Sequence, residues 1–138
     1  MSLILALALA AATADQPSMP DSPPEQVALD HATEDAARAW LAMVDASDWS
    51  ASFAAAGKQF REQNTVAGWE AASQAARVPL GAVIEREAIG YQSVNAPPHG
   101  YRVVQFRSDF ANRKGVTESV TLEQEDGGSW RVVGYFIN

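Results

Sequence analysis

Apolar positions change their spacing once along this chain. Up to Pro79 they recur every three or four residues, and after Gly81 they alternate with polar ones. That is the difference between a helix face and a strand face. In "HATEDAARAWLAMVDAS", Thr33 is placed to cap a helix, with Glu34 and Asp35 in the first turn, where the helix dipole favours acids. Ala37, Trp40, Leu41 and Val44 then form one apolar face, which Asp45 to Asp48 interrupt. A second, shorter helix is expected from Trp49 to Ala56, with Trp49 and Phe53 on one side and Gly57 ending it. Thr65 caps a third, whose buried stripe is Val66, Trp69, Ala72 and Ala76, and Pro79 with Gly81 stops it.

Four strands follow, near 82–94, 101–111, 116–125 and 129–138, joined by "NAPPHG", "RKG" and "DGG". Three-residue hairpin loops favour Gly at their final, left-handed position, which Gly115 and Gly128 occupy. Loops at 113–115 and 126–128 set Phe110 opposite Glu118, Phe106 opposite Leu122, Leu122 opposite Val132, Val120 opposite Gly134, and Glu118 opposite Phe136. One face then gathers Val104, Phe106, Phe110, Val116, Val120, Leu122, Trp130, Val132 and Phe136, which a one-residue slip would scatter. The expected fold class is α+β, with three N-terminal helices packed on a curved, antiparallel, four-stranded meander. Gly134 is expected to leave a gap into which Trp40 or Trp69 fits.

Composition narrows the setting. The 138 residues suffice for one domain with a core and are too few for two. "LILALALAAA" followed by "ATAD" reads as a signal peptide over residues 1–14, cleaved after Ala14, although no Lys or Arg precedes the apolar run. It is too short to span a bilayer, which takes roughly twenty apolar residues. The expected location is therefore the periplasm or the extracellular space, with no membrane span in the mature chain. Residues 15–30, rich in Pro, Asp and Ser, read as an extended tether, leaving residues 31–138 as the domain. A net charge of −7 without a basic cluster argues against nucleic acid and anionic lipid. The absence of cysteine removes disulfides and thiolate chemistry, so the core alone holds the domain together.

"AARAWLAMVDASDWSASF", "RVPLG", "YRVVQFRSDFANRKG", "ESVTL" and "WRVVGYFI" together resemble the small exported bacterial family called domain of unknown function 4019. The order of elements resembles the nuclear-transport-factor-2-like cone fold, the scaffold shared with ketosteroid isomerase. The resemblance covers residues 33–138 and implies a cone-like fold and export, and it carries no catalytic residue with it.

Glu118 is the candidate for chemistry. It is the one carboxylate on the apolar face of the last three strands, and the expected register sets it between Phe110 and Phe136. Desolvation there would favour the protonated acid and suit proton transfer or dehydration. The plainer reading is a structural acid, at a wet rim or neutralised by Arg86 or Arg113. By alternation Tyr101, Val103, Val133, Tyr135 and Ile137 fall on the opposite face, which turns a tyrosine donor away from Glu118 and makes an apolar surface for a homodimer. Arg77 could bind an anion at the cone mouth or simply satisfy the last carbonyls of its helix. Trp40, Met43, Trp69, Phe106, Phe110 and Phe136 are core or, if the cone is incompletely filled, the lining of an apolar pocket. His31 and His99 lack a third ligand at sensible spacing, so neither a metal nor another cofactor is expected. The favoured function is a non-catalytic binding module for an envelope protein or a small apolar ligand, with a cone-fold enzyme using Glu118 as the alternative.

Overall fold

The computed structural model describes residues 24–96 and 99–138. The proposed signal peptide and the first part of the tether lie outside the described residues. Four α-helices, α1 (Pro24–Asp45), α2 (Trp49–Ala55), α3 (Lys58–Gln63) and α4 (Val66–Arg77), precede a short 3-10 turn (Val78–Leu80). The strands β1 (Val83–Val94), β2 (Tyr101–Phe110), β3 (Arg113–Gln124) and β4 (Trp130–Ile137) form one antiparallel sheet in sequence order. The α+β meander is therefore as expected, with one helix more.

The first helix corrects the tether. It starts at Pro24, whose missing N–H costs nothing in a first turn, with Glu25 beside it at the positive end of the dipole. Thr33 is not its cap but lies mid-helix, buried, with its hydroxyl donating to the Leu29 and Asp30 carbonyls. Thr65 does cap its helix, accepting from the Gly68 N–H at 3.0 Å. The unexpected α3 buries Phe60 against Trp69, ring centroids 5.3 Å apart.

The core lies between α1, α2, α4 and the inner sheet face. Trp40, Leu41, Trp69, Val104, Phe106, Val120, Leu122 and Val132 are all buried there. Both indole N–H groups end on one residue of α2, as Trp40 Nε1 donates to the Ser52 carbonyl and Trp69 Nε1 to its hydroxyl, each at 2.8 Å. This removes the penalty of burying two polar ring nitrogens.

The hairpins correct the register in two places. β2 and β3 turn at Ala111 and Asn112 instead of 113–115, so Phe106 faces Glu118 and Val104 faces Val120, four residues from the expected pairing. An even displacement leaves each side chain on its expected face. Gly115 is left-handed, as predicted, but it serves a bulge opposite Asp109, whose carboxylate accepts its N–H at 2.8 Å. The β3–β4 loop closes at 126–128 with Leu122 opposite Val132 as expected. One bulged residue, Val133, then shifts the rest of β4, so Thr121 faces Gly134, Val120 faces Tyr135 and Glu118 faces Ile137. An odd shift exchanges faces. Phe136 is 75% exposed on the outer side, while Tyr135 and Ile137 turn inward.

Candidate functional site

Inside the sheet, at the end where α1 and α4 both stop, six polar side chains meet. Glu118 on β3 is fully buried, and every one of its contacts below is a donor. Arg86 Nε reaches Glu118 Oε1 at 2.8 Å, Ser108 Oγ reaches the same oxygen at 2.5 Å, and the Tyr135 hydroxyl donates to Oε2. Arg77 Nη1 stands 4.0 Å from that second oxygen and 3.4 Å from the Tyr135 hydroxyl. The expectation of an acid bare between phenyl rings is thus overturned. Moving Phe136 out and Tyr135 in replaced an apolar wall by a hydrogen-bond donor.

Asp45, the last residue of α1, binds both arginines from the solvent side. Arg77 Nη2 donates to its Oδ1 at 2.7 Å, and Arg86 gives two bonds of 2.8 and 3.0 Å. Arg77 and Arg86 are only 5% and 9% exposed, against 20% for Asp45. Burial works against the Asp45 carboxylate, yet the bonds from Arg86 and Arg77 outweigh it and hold its pKa below the ordinary aspartate value. Burial and the adjacent Glu118 charge push the Tyr135 phenol far up, so it stays a donor. Two guanidinium groups face two carboxylates, and the cluster balances in charge.

The remaining predicted residues divide by place. Arg77 lines one of the cavities described below, and its guanidinium lies over the Phe110 ring at 4.8 Å. Trp40, Trp69, Phe106 and Phe110 are core, and Tyr135 fills the space beside the two indoles, 5.4 Å from Trp40. Gly134 makes no gap for them, since its missing side chain would meet Thr121. Met43 lies beside an open groove of about 170 Å³ with Ala36, Ala39, Trp40 and Trp130. The apolar outer face expected for a partner loses Tyr135 and Ile137, and Val133 packs on the core. Val103 stays half-buried there, and the Tyr101 hydroxyl donates to Gln59 of α3 at 3.1 Å. His31 is exposed on α1, and His99 stands 3.4 Å from Asp126.

Sequence reading missed Asp45 and Ser108, and named Arg86 only as a neutraliser. The signal was present: Ser108 interrupts the inward series Val104, Phe106, Phe110, and Asp45 stands one turn after Leu41 on the buried stripe.

A second cavity, of about 240 Å³, opens beside Arg77 and Asp45 and is lined by these two with Val44, Ser47, Val78, Gly81 and Ala82. A third, of about 490 Å³, lies at the far end between α3 and the β3–β4 loop, with charged walls including Lys58, Arg61, Glu123 and Asp126. Neither Glu118 nor Tyr135 lines any of these three.

The family model described as "Protein of unknown function (DUF4019)" matches residues 36–135. Among solved structures, one from Thiobacillus denitrificans, provisionally described as a calcium/calmodulin-dependent protein kinase type II association domain, is similar at 18% identity and a TM-score of 0.48. That match covers 86% of this chain and 97% of the other. No curated protein matches the chain.

Proposed function

Because the chain belongs to the protein family of unknown function DUF4019, whose name fixes no activity, we propose from the site itself that it is a non-catalytic binding domain. One observation carries this reading: the only acid on the inner sheet face is fully buried, and three donors already hold its two oxygens. A general acid or base must reach the proton it transfers, directly or through one water. Glu118 is sealed behind the arginines and Tyr135, so it acts as an internal anchor. We place the domain in the cell envelope after export, on the strength of the apolar N-terminal run. Its ligand there is an envelope protein or a small apolar molecule. The groove over Ala36, Ala39, Trp40 and Met43 offers an apolar wall for the latter, and exposed Phe136 offers an anchor on the outer sheet for a partner or second copy.

Native mass spectrometry of the full chain expressed in a bacterial host and recovered from the periplasm tests the reading. The expected species has lost residues 1–14 and carries a co-purifying ligand, or is a dimer that Phe136→Ser converts to monomer. A cytoplasmic, uncleaved, monomeric and ligand-free protein would refute it.

A further inference from the structure

Asp45 sits badly for a structural residue. It is a carboxylate at the C-terminal end of a helix of 22 residues with no basic residue in its last turn, where the dipole disfavours negative charge. Two residues later Ser47 is held at φ 60°, a left-handed conformation that costs a non-glycine residue energy and is met often near ligand sites. What holds Asp45 in place is the pair of guanidinium groups behind it, which give three bonds between 2.7 and 3.0 Å. A buried pair of arginines converging on one carboxylate is the usual geometry for recognising a carboxylate ligand.

The fit is incomplete on one side. Arg77 offers Asp45 only its Nη2, and its Nε is buried without a hydrogen-bond partner. A planar carboxylate lying side-on would take Nε and Nη2 together, a bidentate contact that the Asp45 backbone tether does not reach. The arginines do not depend on Asp45 alone for charge, because Glu118 remains against Arg86 at 2.8 Å and near Arg77 at 4.0 Å. Asp45 is the more exposed member, so it can leave toward solvent without opening the core. The adjoining cavity of about 240 Å³ has Val44, Val78 and Ala82 beside Arg77 and Asp45, room for a short aliphatic tail.

We propose that Arg77 and Arg86 form a binding site for a small aliphatic monocarboxylate, and that Asp45 occupies it here as an internal, displaceable ligand. This goes beyond the binding reading above, adding a charged ligand at a site that reading does not use. A ligand in the groove beside Met43 or a partner on Phe136 would not sense Arg77, so failure here leaves those alternatives standing.

The test uses butyrate, titrated at constant ionic strength against chloride, on the full domain. In the wild type the Arg77 Nε–H resonance should move saturably with butyrate and not with chloride. In Asp45→Ala the half-saturating concentration should fall by about tenfold or more, since the competitor is gone, and butyrate should raise the melting temperature. Adding Arg77→Gln to that variant should abolish both responses. A wild-type Nε–H signal indifferent to butyrate would overturn the proposal, and it does not depend on the variants folding. So would an Asp45→Ala response that matches chloride or survives the loss of Arg77.

Discussion

The Tyr135 hydroxyl joins two layers, donating to Glu118 on the sheet and accepting from Arg77 at the end of α4. Tyr135→Phe keeps the ring against Trp40 and leaves Glu118 Oε2 short of its nearest donor. The expected loss at neutral pH is about 1–2 kcal/mol, the range for an unmet buried partner, read from urea unfolding. The pH dependence has a definite sign. Burial and the Glu118 charge raise the phenol above its ordinary 10.0, so its share of stability is complete below pH 10. Above that the unfolded chain ionises while the folded one holds its proton, and stability falls as pH rises. Tyr135→Phe should therefore flatten part of the alkaline loss. An unchanged alkaline limb would mean that this hydroxyl is not buried against the acid. At this scale alternation put Glu118, Val120 and Phe106 inward, and Arg86 was legible as a neutraliser of the acid, but the Tyr135 donor depended on a single residue of β4.

That residue is Val133, and its bulge is set by a neighbouring element. Gly57, between α2 and α3, gives its N–H to the Val132 carbonyl at 2.7 Å. A Cβ on Gly57 would stand 2.8 Å from Val133 Cγ1, a contact that must displace the Val133 side chain or the backbone that carries it. Its φ of −69° is open to any residue, so space rather than conformation demands glycine there. Gly57→Ala should cost about 1–3 kcal/mol as an overpacked contact. Val133→Ala in the same chain should restore much of that, giving a favourable coupling in a double-mutant cycle. Strictly additive losses would place the cost in the helix cap instead. Glycine was a reliable sign of left-handed backbone at 115 and 128, yet only the second marked the expected loop. The first served a bulge, because Asp109 captured its N–H and the chain turned earlier. Gly57 read from sequence as a helix stop, and its contact with a strand some seventy-five residues later has no local signature. Pro24 was read as tether, although proline is as much a helix starter as a breaker.

For the whole molecule, these local choices decide what kind of object the domain is. With β4 unbulged, Phe136 would stand beside Glu118 in place of the Tyr135 donor, and Tyr135 would join a greasy outer surface. With the bulge, the cone end is closed by an ion-paired, charge-balanced cluster that ties α1, α4 and all four strands together. The recognition sites we propose then lie at Arg77 and at the exposed Phe136 of the outer face. The α+β order and most of the inner face followed from periodicity, with Phe136 the member that turned out. The function did not, because the chemistry lies in contacts between α1, α4 and β4 that no motif announces.

Backbone nuclear Overhauser contacts across β3 and β4 in the labelled domain test this account most directly. It predicts cross-strand contacts that pair Val120 with Tyr135 and Glu118 with Ile137, beside Leu122 with Val132. Contacts that pair Val120 with Gly134 and Glu118 with Phe136 would contradict it, replacing the Tyr135 donor at Glu118 by a phenyl ring.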